Sequence, residues 1–425
     1  MGFRYSFVGV IMVLLFAGCE PDIDIGGEPI GKINADSFLV SEIRISTAGS
    51  ASIVSKNEYI RCSVEVFSEN DSWNYQGDAM IRGRGNSTWF WYDKKPYRLK
   101  LNQKNGLLGM APEKDWVLLA NYRDPTHLMN TFVFSVGRGL GMPFTNRTRY
   151  VELYLNDEYK GLYQVTEQVE QGKNRVNVDE AEGILISLDA DDGPYHSPNE
   201  TNNFWSAVYR MPVCVKYPKN VGLDVIDDIK NEFKLLENAI KSADYAAVSQ
   251  LLNIPTFIDF LLIQELVYNV ELAAPRSMYL HKDAGGKWFF GPLWDFDAGY
   301  DFDWSTMYTG HNYFADYREL VLGTDPYTHK NGYRVPSFFT VLFSNKRFVA
   351  EYKARWLEVK EDIMSDFWMS TMKHTEKNTD AMTRNATRWP INKNYTVEIT
   401  RMKNWLTNRI TYLSTVINAY PDGWR

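Results

Sequence analysis

Two aspartates stand two positions apart in GPLWDFDAGY: Asp295 and Asp297, among Trp294, Phe296 and Tyr300. An ionised carboxylate is costly to bury unless it is paired or bound to a metal. A hard Mg2+ ion takes carboxylate oxygens together with substrate phosphates, which would account for acids in so apolar a stretch. The alternative is that both aspartates cap turns or pair with basic residues in the core. Side chains at i and i+2 are too local to flank a glycosidic bond without a third carboxyl, so a glycosidase is disfavoured.

A cation site for phosphate chemistry needs an anion site beside it. IRGRGNSTW (Ile81–Trp89) brings two arginines, two glycines, Asn, Ser and Thr into nine positions. Glycines let backbone N–H groups approach an anion, and Arg82 or Arg84 could fork onto phosphate oxygens. The stretch lacks the G-x-x-x-x-G-K-[ST] pattern, so it is no standard P-loop. Downstream, KPYRLKLN alternates as a strand, with Tyr97, Leu99 and Leu101 on one face and Arg98 and Lys100 on the other. Lys94 and Lys95, just before Pro96, read as an exposed bend. In TEQVE, Glu167 and Glu170 are candidates to hold a phosphate-clamping base, with a solvated acidic turn as the alternative.

These residues must be positioned by larger elements. SFLVSEIRIS and YIRCSVEVFSE alternate as strands, and YVELYLNDEYKGLYQVTEQVE reads as a hairpin turning at Asn-Asp. GILISLD is a further strand, and PTHLMNTFVFSVGRGLG a short helix. From about Gly222 the period becomes helical: LDVIDDIKNEFKLLENAI is amphipathic and PTFIDFLLIQELVYNV largely buried. SMYLHKD and KWFFG form a hairpin across AGG, and two more helical stretches follow Pro336. In a protein kinase, a helix leads to a loop with the catalytic base, then a hairpin, then the Mg2+-binding Asp. Here Glu271 precedes Asp295 by 24 positions, with the hairpin between them.

With 425 residues, 44% hydrophobic and 15% aromatic, the chain is a folded globular protein with room for one large core or two modest ones. The 13 Trp and 26 Tyr suggest aromatic surface as well as core. A net charge of −7 argues against general nucleic-acid binding. Residues 1–19 read as a targeting segment: Arg4, an apolar Phe7–Ala17, then small residues before Cys19. This is similar to a bacterial lipobox with Phe16 in place of the usual Leu, and it implies a lipid anchor at Cys19, in the outer membrane of the cell envelope. Residues 20–36 read as an acidic tether, similar to the export signals of surface lipoproteins. Cys62 and Cys214 have no zinc-ligand spacing and read as small buried hydrophobes, with a disulfide as the alternative.

The motifs IRGRGNSTW, KKPYRLKLN, KDWVLLANYRD, RYVELYLNDEYKGLYQVTEQVE, KNRVNV and GPLWDFD together strongly resemble the spore coat protein H (CotH) kinase-like family, over roughly Gly77 to Tyr300. The resemblance implies an α+β, atypical protein-kinase-like fold with a β-rich N-terminal half and a mainly helical C-terminal half. The division expected is an N-terminal β segment over 37–75 and a kinase-like domain over 76–425, whose helical lobe starts at 222. The implied activity is phosphate transfer from ATP, with Mg2+, to Ser or Thr hydroxyls of a protein substrate. On this reading Arg82, Arg84, Asn86, Lys95, Arg98 and Lys100 lie near the nucleotide, with Glu167 as the partner of the phosphate-contacting base. Asp295 takes the metal with Asp297 as helper, and Asn269 and Glu271 fall where the family commonly reads NVD. Glu271 departs from the family's Asp by one methylene, and a misplacement of an ångström can cost ~10²-fold in rate. The competing reading is a surface lipoprotein whose kinase fold is weakly active or inactive and binds a protein partner or a glycan.

Overall fold

Strict alternation in VSEIRIST and IRCSVEVF places Ile43, Ile45, Val64 and Val66 on one face, and all four are buried. The same pattern recurs along the strands that follow, and their shared apolar face closes on itself. In the computed structural model, which describes residues 38–194, 202–306, 312–322, 334–390 and 394–422, seven strands make a closed barrel. They are β1 (Val40–Thr47), β2 (Ile60–Phe67), β3 (Tyr75–Gly83), β4 (Tyr97–Asn105), β5 (Glu113–Leu119), β6 (Thr148–Leu155) and β7 (Glu158–Glu167). The order is β1-β2-β3-β4-β5-β7-β6, and parallel pairing of β1 with β6, from Val40↔Tyr150 to Ile45↔Leu155, seals the ring. Leu99, Trp116, Leu153 and Val165 fill the interior, so the barrel is a packed body and not a channel. Two helices interrupt it: α1 (Ser87–Phe90) between β3 and β4, and α2 (Met129–Gly139) between β5 and β6.

A second sheet has the order β12-β11-β8-β10-β9. Its strands are β8 (Ile184–Leu188), β9 (Asn203–Trp205), β10 (Pro212–Tyr217), β11 (Met278–Lys282) and β12 (Trp288–Phe290). Every residue of β8 is buried, as its unbroken apolar run requires of a central strand.

Around this sheet lie α3 (Leu223–Ser242), α4 (Tyr245–Leu251), α5 (Ile254–Leu266), α6 (Lys346–Asp362), α7 (Trp368–Arg388) and α8 (Tyr395–Asn418). The i, i+3/i+4 spacing of Ile226, Ile229, Phe233, Leu236 and Ile240 buries one stripe of α3. Every residue of helix α5 except Pro255 is buried; the helix starts where Asn253 accepts from Thr256 N, next to Pro255. One π-helical turn, Ile363–Phe367, joins α6 to α7. Helix α7 docks on the barrel: Asn385 Oδ1 accepts from Leu162 N at 3.0 Å, and Arg384 grips Glu152 through two 2.7 Å bonds. Gly161, at φ 106°, lets the strand come this close, since a Cβ there would collide with Asn385 Oδ1.

The β-rich and helical halves are therefore present as expected, with three differences. The N-terminal strands close into a barrel, which no local pattern announces because β1 and β6 are about a hundred residues apart. The segment 37–75 is no separate unit, because β1 and β2 are staves of the same barrel as β4 and β5. The hairpin β11–β12, from the helical half, completes the sheet begun by β8 through pairs such as Leu280↔Ile186. Cys62 sits in the barrel and Cys214 in the second sheet; both are buried and free. Cys19 and the tether lie outside the described residues. Among the described residues, no helix is long and apolar enough to cross a membrane.

Candidate functional site

Where the barrel meets the second sheet there is a cavity of about 390 Å³. The barrel contributes the β3–β4 loop, the end of β5 and the segment after β7. The other half contributes the loop after β8, Lys216, the turn around Glu271 and the stretch after β12.

The two aspartates of GPLWDFDAGY face this cavity because their neighbours face the core. Trp294 and Phe296 are buried, and Phe296 N donates to Asn130 Oδ1 at 2.9 Å. Tyr313 Oη holds the Asp297 carbonyl at 2.8 Å. Asp295 turns through the left-handed region at φ 65°, which Asp tolerates better than most residues. Its carboxylate makes no hydrogen bond or ion pair with any described residue. Asp297 differs: its Oδ1 accepts from Arg123 Nη2. Burial, then the charge of Asp297, pushes the Asp295 carboxyl up to about 7.

Glu271 belongs to a 3-10 turn, Val270–Ala273, and it too lines the cavity without a side-chain partner among the described residues. Burial, followed by the charge of Asp295, holds its carboxyl well above the ordinary range, opposed by Arg123 and Arg276. Asn269 sits behind it: buried and outside the lining, its Oδ1 caps the turn by accepting from Glu271 N at 3.3 Å. Three carboxyls thus share one electrostatic environment, and two of them lack hydrogen bonds. Among the described residues, no three His, Cys, Asp or Glu side chains are arranged to hold a metal by themselves. Asp295 and the second oxygen of Asp297 remain as a donor pair, which suits an ion that completes its shell with water and phosphate.

On the opposite wall, Arg84 lies with its guanidinium 5.4 Å from the Trp294 ring centre, and this side chain makes no hydrogen bond or ion pair with a described residue. Burial lowers its pKa, against the pull of Asp295. Arg98 also reaches the cavity, anchored to Asp115 at 2.7 Å. Lys100 shares Asp115 at 3.9 Å but is outside the lining, as is Lys95, whose Nζ donates to Trp89 O at 2.7 Å. Of the three bases on this strand segment, Arg98 is the one positioned at the cavity. Arg82 is at the rim, tied to the carbonyls of Lys56 and Gly83, and Asn86 Oδ1 accepts from Lys56 Nζ.

Glu167 is placed differently from its expected role. It is fully buried away from the cavity and accepts from Arg147 N at 2.6 Å, with Arg147 Nη1 at 3.3 Å, so it holds no nucleotide-side base. Glu170 is the member of TEQVE on the cavity wall, its carboxyl pushed up to about 7 by burial and then by Asp115. Lys94 also departs from expectation: it is 1% exposed and not on a solvated bend.

Sequence reasoning missed Lys56, Arg123, Lys216, Arg276 and the trio Asp189, Asp191 and Asp192. The trio had a signal, three acids directly after the apolar run GILISL. Its members are tied in: Asp191 to Arg276 at 3.0 Å, Asp192 to Lys216 at 3.2 Å, while Asp189 accepts from the backbone of Asp191 and Asp192. Lys56 sits in an irregular loop with no pattern to mark it.

No curated protein matches the chain. The family model described as CotH kinase protein matches residues 81–413, more than three-quarters of the chain and the whole of the cavity wall except Lys56 and Asn57. The chain belongs to the CotH kinase family.

Proposed function

We propose that this kinase-like protein, in an atypical kinase fold, binds ATP with Mg2+ in the cavity and transfers a phosphoryl group to a Ser or Thr hydroxyl of a protein substrate. One observation carries the reading: Arg84 and Asp295, a cation and an acid each without a hydrogen-bonding partner among the described residues, line the same cavity. A triphosphate fits the first and its metal the second. Arg84 and Arg98 would hold phosphate oxygens, with Asn86 and Arg82 shaping the loop beneath them. Asp295 and the free oxygen of Asp297 would hold the metal, which when bound neutralises charge on the phosphate oxygens.

Glu271 would receive the hydroxyl proton as the new O–P bond forms and the bridging O–P bond to the departing ADP breaks. Burial and then the Asp295 charge raise its pKa, which favours holding the proton it receives; offsetting the Asp295 charge would lower that pKa again. Positioning and charge neutralisation dominate phosphoryl transfer, so Glu271→Ala should reduce transfer less than Asp295→Asn.

The reading extends to location: a lipid anchor at Cys19 would hold the protein at the outer membrane, facing substrates of the cell envelope. A second reading, nucleotide binding with little or no transfer, is favoured by Glu271 itself, a longer acid where relatives carry Asp. A glycan site finds less support, since Tyr279 and Trp294 are the aromatic side chains lining the cavity and most tryptophans are in the core.

The test is incubation with labelled ATP and Mg2+, comparing wild type with Asp295→Asn. Label on protein that disappears in the variant supports transfer. Thermal stabilisation by nucleotide without label supports the second reading, because a ligand that binds only the folded state raises its stability. Neither response would sink both.

A further inference from the structure

A second cavity, of about 350 Å³, lies apart from the first between the barrel and α7. Its polar lining is Arg138, Arg147, Thr148, Arg149, Ser370 and His374. Three arginines line it: Arg138 from the last turn of α2, Arg147 just before β6 and Arg149 within β6.

Their known contacts orient them. Arg138 donates to Asn146 O at 2.6 Å and Ser135 Oγ at 3.3 Å, and forms no ion pair with a described residue. Arg147 is tied to Glu167 at 3.3 Å. Arg149 donates to Leu108 O at 3.0 Å and Thr148 O at 2.9 Å, with its guanidinium 5.3 Å from the Trp73 ring centre. His374 is 6% exposed, wedged edge-on between Phe38 and Tyr150 at 4.7 and 5.3 Å. Its Nδ1 is buried with no hydrogen-bond partner. Burial lowers the Arg138 pKa to about 10; the charge of Glu167 opposes this, and those of Arg149 and Arg147 add to it.

We propose that this cavity binds a phosphomonoester or free phosphate dianion. A planar guanidinium presents paired donors matched to phosphate oxygens, and a tetrahedral dianion has enough acceptor oxygens to be shared by several of them at once. Thr148 and Ser370 add hydroxyls beside the His374 ring on the same wall. The volume admits a phosphate with a small organic substituent. The site is independent of the nucleotide reading, since none of its residues lines the first cavity.

Two measurements on the full chain test it. Crystals soaked in tungstate, an electron-dense tetrahedral dianion, should show density among Arg138, Arg149 and His374. Calorimetric titration with inorganic phosphate and with O-phosphoserine should give binding that Arg138→Gln weakens about tenfold, as expected for a lost charged hydrogen-bonding pair. His374→Gln, a milder change that spares the arginines, should weaken it severalfold, while Arg84→Ala in the first cavity leaves it within twofold. Tighter binding of phosphoserine identifies an ester as ligand, and equal binding identifies free phosphate; either supports the site. Tungstate confined to the first cavity, or binding abolished by Arg84→Ala but not by Arg138→Gln, would overturn it.

Discussion

Arg123 and Asp297 form an ion pair at the floor of the cavity, Nη2 donating to Oδ1, with Arg123 3% exposed and its guanidinium 4.6 Å from the Phe302 ring centre. This pair divides the labour between the two aspartates of the WDFD stretch. Asp297 is committed to a cation of the protein's own, and Asp295 is not. Removing one member of a buried pair leaves the other charge uncompensated, which costs about 3–5 kcal/mol. Arg123→Ala should therefore destabilise the protein on that scale in urea unfolding. The double change Arg123→Met, Asp297→Leu should cost less than either single change. An additive double mutant would show that the two side chains are not coupled.

Asp295 makes a pH prediction because burial and Asp297 raise its folded pKa to about 7, above an unfolded value of about 3.9. Between those values the native chain binds more protons than the unfolded chain, so stability is complete below about pH 4 and declines as pH rises through about 7. Asp295→Asn removes that decline. Without divalent cations it should be more stable than wild type at pH 8, on the order of 1–3 kcal/mol, and match it at pH 4. Mg2+ should raise the wild-type Tm at pH 8 and leave the variant's unmoved. Equal Tm values for the two proteins across this pH range would remove the argument that the carboxylate is held at an electrostatic cost.

What could be read from sequence was whatever short-range pattern fixes. The Asn156-Asp157 turn, with φ of 50° and 64°, sits where its residue types predict a hairpin, and α3 follows its apolar spacing. Asp295 stood out because a charge among Trp and Phe breaks the pattern around it. Arg98 and Lys100 do share a strand face, both reaching Asp115, but strand alternation cannot say which of the two is at a cavity built from other parts of the chain. The role of Arg123 was hidden for the same reason: its partner is 174 positions away. Barrel closure and the burial of Lys94 likewise depend on contacts between distant segments, for which a single sequence holds no local signal.

Lys94 gives the sharpest test of such a long-range effect. Its Nζ donates to Leu162 O at 2.5 Å and to Asn385 Oδ1 at 2.9 Å, and lies 4.6 Å from the Tyr163 ring centre, with no carboxylate within 4 Å among the described residues. Burial depresses its pKa well below the usual lysine value. From that depressed pKa up to about 10.4 the unfolded chain holds the extra proton, so deprotonation in the folded state makes stability increase with pH across this window. Below the folded pKa the full desolvation penalty is present. Lys94→Met fills the same volume without an ionisable group. It should exceed wild type in stability at pH 7 by on the order of 1–3 kcal/mol, with the gap narrowing toward pH 10. Urea unfolding at pH 7 and pH 9.5 measures both values. A methionine variant less stable than wild type at pH 7 would mean that the two hydrogen bonds to α7 and β7 outweigh the buried charge, and that Lys94 is a fastener between barrel and helix.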